Sequence, residues 1–597
     1  MGYLPIESYG VIGDLRTAAL IGIHGSVDWL CLPRFDSMSL FGALLDHDRG
    51  GHWQIAPTVP HTGEQHYLPG TNVLATVFHA GAGGVLEVVD FMPMGRSRGP
   101  RPRLVRWVRA VRGEVPTRLV WAPRFDYGTR APRLERRTHG VIATDRDNDA
   151  AVISGAKWVP WAIEAQQAVA DFTLHQGAEA WFVMTWDDDE VTPLALLEPV
   201  RAFEETVWWW DAWIAGLRYD GPYRREVERS ALALKLCCHE PSGAIVAAPT
   251  TSLPESRTGG RTWDYRYAWL RDSAFVLNAL DVMGFERETE AFMRFLKRVC
   301  RREDGRHLQI MYGVDGERDL PERVLGHLEG WRGIGPVRVG NGAVDQFQLD
   351  VYGEILATAA LWAHRHRLSE GMWQTLRRLV DWVAEHWHEP DYSIWEPRHE
   401  PRHHVYSKIM AWVALDRGAR LAAENGDDVG AARWRQLADT VHAEVMERGW
   451  DEARGTFVQV YGEPQLDAAL LVAPKVRFLH RSDPRVRTTL EAVRRELATP
   501  CEDLIQRYRG PDGLTGEEGA FVFTSFWMVQ NLAMVGEFEE AERLFRHLLH
   551  RASPLGLFAE EVDPATGEHL GNYPQALSHA SLMNTAHILE RLRPVGG

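Results

Sequence analysis

Ala19-Leu20-Ile21-Gly22-Ile23-His24-Gly25-Ser26-Val27-Asp28-Trp29-Leu30-Cys31 outlines a hairpin, with two short apolar runs separated by His24-Gly25. Runs of this kind bounded by turn residues read as β-strands. Further strand candidates follow at Val73–His79, Val85–Phe91, Leu104–Val111, Arg118–Ala122 and Ala180–Thr185, with Gly, Pro and Asp between them. Many short strands with turns between them predict an antiparallel β-sandwich over residues 1–200. After that the period changes. Met372, Leu376, Leu379, Val383 and Trp387 recur at steps of three and four, as do Trp434, Leu437, Val441 and Val445. These are marks of amphipathic helices. About ten to twelve such segments fit between 222 and 597.

Strands first and helices afterwards imply separate domains rather than an alternating α/β fold. Length agrees, because single cores stop growing beyond roughly 250–300 residues and this chain has 597. The stretch Arg201–Leu217, with Trp208, Trp209, Trp210 and Trp213, predicts a linking helix within 201–221, packed between the domains. With no short-period repeat to suggest a solenoid, the helical half reads as a closed ring of hairpins with function on the loops at one end.

Composition narrows the classes. The net charge is −16 and no basic run occurs, which argues against a nucleic-acid partner. No apolar run of about 18 residues exists, so no membrane span is expected. The start, MGYLPIESYG, has neither the basic and apolar regions of a secretory signal nor the residue at position six that myristoylation needs. Cys31, Cys237, Cys238, Cys300 and Cys501 are odd in number and match no disulfide or zinc spacing; buried packing is the simpler reading. The expected address is the cytoplasm, without cofactor or metal. The 24 Trp exceed what a core readily buries, since each N–H needs a partner, and suit a pocket that stacks on sugar rings.

Three clusters in the helical half combine aromatics, acids and arginine: Arg261–Asp272, Ser393–Arg398 and Gly556–Asp563. Singly, each has a plain reading as a salt bridge or a solvated loop. Together they hold what glycoside cleavage requires. One carboxylic acid protonates the leaving oxygen and one carboxylate activates water. Planar aromatics hold the ring, and charged groups fix its hydroxyls.

Longer stretches carry a resemblance. These are Ile6-Glu7-Ser8-Tyr9-Gly10, Gly25–Ser37, Thr250–Glu255, Trp263–Asp272, Pro336–Asn341 with Gln346–Asp350, and Gly571–Ala576 with Ser578-His579. In this order the chain resembles glycoside hydrolase family 15, the glucoamylases and microbial-type trehalases, with a trehalase-like N-terminal part. The resemblance implies a β-super-sandwich followed by an (α/α)6 barrel, a six-hairpin toroid over 222–597. It also implies inversion and exo action from the non-reducing end. It puts Glu396 in the general acid's place and Glu560 in the general base's place. Arg271 and Asp272 would grip the outer hydroxyls of the first glucose, and Tyr265 and Trp269 would line its pocket. Trp331, Arg332 and Arg338 would flank the next subsite, and Trp395 and Glu561 adjoin the two glutamates. The inverting geometry implies carboxyl groups about 6.5–9.5 Å apart.

Some positions stay open. A one-residue shift would exchange Glu560 and Glu561. Glu517 and Glu518 precede a helix and read as dipole partners rather than site residues. Thr262 stands where the family commonly has Asn, and His579 reads as structural. The alternatives are a non-catalytic glycan-binding protein, which two retained glutamates argue against, and a phosphorylase, whose phosphate an acid at Glu560 would repel. The partner is a small carbohydrate; a homo-oligomer is open. The N-terminal part leans the substrate toward α,α-trehalose, with malto- or isomalto-oligosaccharides as the glucoamylase-type alternative.

Overall fold

The computed structural model describes residues 2–302, 308–510 and 512–594. Its N-terminal part is two eight-stranded antiparallel sheets. One runs from Tyr9–Gly13 through Ala18–Gly22, Ser26–Cys31, His52–Pro57, Glu114–Ala122 and Gln167–His175 to Ala162–Glu164, with Ser39–Phe41 paired to Ser26–Cys31. The other runs Arg133–Arg137, Gly140–Thr144, Ala150–Gly155, Glu179–Trp186, Arg103–Arg112, Val85–Phe91, Leu74–Ala80, His61–Tyr67. Side chains alternate as a pleat requires. In Glu114–Ala122, Val115, Thr117, Leu119 and Trp121 are buried while Glu114 faces water.

The helical part is a ring of six inner segments, each followed or preceded by an outer helix. The inner segments are Leu270–Val282, Asp350–Ala363, Val405–Glu424, the short pair Ala468–Leu471 and Val472–Lys475, Val522–Met534, and Ala576–Leu592. Each packs on the next, and Ala576–Leu592 closes the ring on Leu270–Val282. Inner and outer helices differ in sequence for a physical reason. The outer Glu370–His386 buries one stripe, including Met372, Leu376, Leu379 and Val383. The inner Val522–Met534 is buried almost all round, as a helix apolar on every face must be.

The linking helix spans Pro199–Ile214, with Pro199 in its first turn, where a missing N–H costs nothing. Thr206 accepts from Met94 N–H (3.0 Å) on the sandwich side. Trp213 stacks on Phe285, centroids 4.2 Å apart, on the helical side. Trp210 is buried, but Trp208 is 69% exposed and packs between nothing. The sandwich also reaches the ring directly. Trp29 Nε1 donates to the Pro249 carbonyl (2.8 Å), Arg266 Nη1 to the Ser37 carbonyl (2.7 Å), and Tyr573 Oη to the Tyr9 carbonyl (2.9 Å). None of the five cysteines is in a disulfide. Among the described residues, no helix is long and apolar enough to cross a membrane.

Candidate active site

The inner helices begin at one end of the ring, and a pocket of ≈ 700 Å³ opens there. Trp269, Arg271 and Asp272 line it from the start of Leu270–Val282, Phe521 from the start of Val522–Met534, and Gln575 and Leu577 from the start of Ala576–Leu592. Helix N-termini carry partial positive charge, which favours acids such as Asp272 there. Glu396 and Glu560 both line this pocket.

Glu396 lies on the loop before Val405–Glu424, with its own backbone in the left-handed region at φ 56°. A non-glycine residue tolerates that only where surrounding contacts enforce it. The contacts are present: Trp269 Nε1 (2.8 Å) and Arg271 Nη2 (3.0 Å) both donate to Glu396 Oε1. Arg271 also donates to Gln348 (2.6 Å) and Asp350 (3.3 Å). Trp395 is fixed by donating to Asp467 (2.8 Å).

Glu560 accepts from Tyr265 Oη (2.7 Å) at Oε1, while its Oε2 has no hydrogen-bond partner. Gly571, at φ 75°, is required beside it, because a Cβ there would lie 2.7 Å from Glu560 Oε2. Tyr265 and Trp269 meet edge to face, centroids 5.5 Å apart. The two glutamates are therefore tied to two touching aromatic residues of one loop. Glu561 begins the short strand Glu561–Val562, paired with Ala520–Phe521 and His569–Leu570. Adjacent residues of extended chain point to opposite faces. That separates the glutamate pair: Glu560 lines the pocket and Glu561, fully buried, does not.

Behind Glu560, Arg507 pairs with Glu518 (2.5 Å), Glu255 (3.5 Å) and Glu561 (3.6 Å). Carboxylate atoms of Glu255, Glu518 and Glu561 lie within 4.8 Å of one another, a spacing that could hold a metal ion, but the Arg507 guanidinium already supplies the positive charge. Burial, then the charges of Glu255 and Glu561, push the Glu560 carboxyl well above the usual range. Burial raises Asp272 to about 6. Tyr265, buried beside these acids, keeps its proton and donates.

Of the residues singled out in the sequence, Tyr265, Trp269, Arg271, Asp272, Trp395, Glu396 and Glu560 converge on the pocket. Trp331, Arg332, Arg338 and Glu561 are outside its lining. Trp331 is buried and donates to the Leu4 carbonyl (3.0 Å), and Arg332 pairs with Glu568 (3.3 Å). Arg338 lies over the ring of Trp263 at 4.8 Å, so it reaches the pocket only through that indole. The reading of Glu518 as a dipole partner is corrected. The helix starts only at Val522, and Glu518 lines the pocket, held by Arg507 and Arg261. His579 is structural: it accepts from Phe558 N–H (3.2 Å), contacts Ser230 Oγ (3.0 Å) and stays neutral because it is buried. Glu255, Arg261, Trp263, Arg507 and Tyr508 also line the pocket. Arg507 and Tyr508 have no local motif that would have announced them.

Residues 221–587 match the family model of glycosyl hydrolases family 15, and residues 2–202 that of the trehalase-like N-terminal domain. The chain belongs to glycosyl hydrolases family 15. It is 41% identical to the trehalase of Mycobacterium tuberculosis, across 98% of this chain and 90% of that protein. It is 35% identical to the trehalase of Thermoplasma volcanium, across 99% and 94%. Its fold matches a bacterial glucoamylase crystallised with acarbose at a TM-score of 0.75 and 13% identity, covering 99% of this chain and 95% of that one. This shared fold is the sandwich followed by an (α/α)6 barrel. The protein is a glucoside hydrolase.

Proposed function

We propose that the protein hydrolyses α,α-trehalose to two glucose molecules with inversion, Glu396 acting as general acid and Glu560 as general base. The carrying observation is that both glutamates line one pocket, each held by one of two touching aromatics, Tyr265 and Trp269. The trehalases named above, similar over nearly the whole chain, support the substrate.

In this mechanism Glu396 gives its proton to the glycosidic oxygen as the C1–O bond breaks and its electron pair passes to that oxygen. Water attacks C1 from the opposite face and loses its proton to Glu560. Arg271 and Asp272 hold the ring hydroxyls, and Trp263, Trp269 and Trp395 supply flat walls. The base must be an anion. Glu255, Glu560 and Glu561 share more negative charge than Arg507 balances, so the group retains protons. Tyr265 donates to Glu560 and favours its anion, while Arg507 favours the anion at all three carboxylates. A base surrounded in this way binds its proton strongly once water offers it. Five cysteines outside any disulfide fit the reducing cytoplasm as the site of action.

Incubation with trehalose, maltose, isomaltose and maltotriose, followed by proton NMR, tests this reading. Trehalose should be cleaved fastest and should first yield equal α- and β-glucose. Two α-anomers would refute inversion, and faster cleavage of maltotriose would move the substrate to the glucoamylase type.

A further inference from the structure

The loop that carries Glu396 has a second cavity against it, of ≈ 600 Å³, lined by Tyr392, Ser393, Trp395, Pro397 and His404 from the loop itself and by Gln459 from another segment. Trp395 and Tyr508 line both cavities. The second cavity is polar in an unusual way. His404 is only 3% exposed, yet neither ring nitrogen has a hydrogen-bond partner. Ser393, 2% exposed, likewise leaves its hydroxyl unpartnered. A buried polar group without a partner costs about 1–3 kcal/mol, and the side chains that carry these groups line the cavity, which points to a ligand that satisfies them.

The wall specifies the ligand's chemistry. Burial lowers the pKa of His404 to about 3, so its ring is neutral, with one donor and one acceptor nitrogen. A sugar hydroxyl pair matches that set; an anion does not. Arg402, on the wall, is engaged by both oxygens of Glu463 (3.1 and 2.9 Å), and the wall also carries Asp512, which pairs with Arg261. Among the described residues, no unpaired arginine or lysine lines the cavity to attract phosphate. Tyr392, Trp395 and Tyr508 supply aromatic faces for a ring. Ser393 and Glu396, at φ 58° and 56°, are the left-handed residues of the shared loop, so a ligand seated on Ser393 bears on the backbone that aims Glu396.

We propose that this cavity is a second sugar site, taking a neutral hexose such as glucose, and that its occupancy lowers turnover through the loop carrying Glu396. The choice of glucose rests on the hydrolytic reading, but binding is measured without turnover, so the two fail separately. Calorimetric titration of the full chain with glucose should show two sites. His404→Leu and Tyr392→Ala should each keep one site and weaken the other at least tenfold, with unchanged circular dichroism. Glucose should then lower kcat of the parent protein but only raise KM in these variants. If His404→Leu does not fold, Tyr392→Ala carries the test, since Tyr392 lines the second cavity alone. A single glucose site in the parent protein, two undiminished sites in Tyr392→Ala, or displacement of the second glucose by inorganic phosphate would each overturn the proposal.

Discussion

Two buried arginines show how differently the two halves use charge. In the sandwich, Arg106 and Asp90 are fully buried, and Arg106 donates to both Asp90 oxygens (2.7 and 3.2 Å) and to the carbonyls of Trp53 (2.6 Å) and Gly25 (2.8 Å). One positive charge meets one negative charge. In the ring, Arg507 faces three carboxylates, and Glu560 Oε2 and both Glu561 oxygens have no hydrogen-bond partner. The first cluster is closed and holds strands together. The second carries excess charge beside a cavity, and an excess of this kind is what shifts proton affinities for chemistry.

The comparison is sharpest at the glutamates. Glu396→Gln and Glu560→Gln should each lower turnover roughly 10²–10⁴-fold, with little change in stability. An aryl glucoside, whose leaving group needs less protonation, should recover part of the rate for Glu396→Gln and none for Glu560→Gln. Equal rate ratios for the two variants would mean the roles are misassigned. Arg106→Met should do the reverse. It strands Asp90 and should cost about 3–5 kcal/mol in urea unfolding, while the folded fraction keeps its kcat. A fall in specific activity beyond the lost folded fraction would show that the two clusters are coupled.

Arg271→Ala and Asp272→Ala should lower kcat/KM roughly 10–100-fold, the worth of a charge-assisted hydrogen bond, without unfolding the chain. Near-normal turnover in either would make the pair a structural salt bridge. Arg507→Met removes the charge that favours the Glu560 anion, so the acid limb of kcat/KM should move up by roughly 1–3 pH units. Adding Glu561→Gln should bring it partly back.

The smallest effect concerns Glu354, whose carboxyl is raised to about 8 by burial and then by Asp350. The folded state then holds a proton that the unfolded chain releases near 4.5, so this group's stabilising contribution is full below about 4.5 and falls as pH rises toward 8. Glu354→Gln should flatten the decline in unfolding free energy across that window. An unchanged slope would remove Glu354 as its source.

What the sequence revealed follows the same physics. Strands such as Glu114–Ala122 alternate, and outer helices such as Glu370–His386 have one apolar stripe, so their periods are visible. The inner Val522–Met534 is buried all round and has little period to detect, and the fourth inner segment, Ala468–Leu471 with Val472–Lys475, is too short to show one. Site residues in aromatic and acidic clusters, such as Trp395-Glu396, could be picked out locally. Arg507 could not, because its importance arises from Glu255, Glu518 and Glu561, which meet only when the ring closes.

The bonds from Trp29, Ser37 and Tyr9 into the ring have a consequence for inheritance. They end on Pro249, Arg266 and Tyr573, and Arg266 directly adjoins Tyr265, the donor to Glu560. A recombination event that exchanged the sandwich for an unrelated module would take the Ser37 carbonyl from Arg266 and the Trp29 indole from Pro249, the first of these one residue from the donor to Glu560. The two halves of this chain are thus poor candidates for separate exchange, because a new module in place of the sandwich would disturb the loop that holds Glu560.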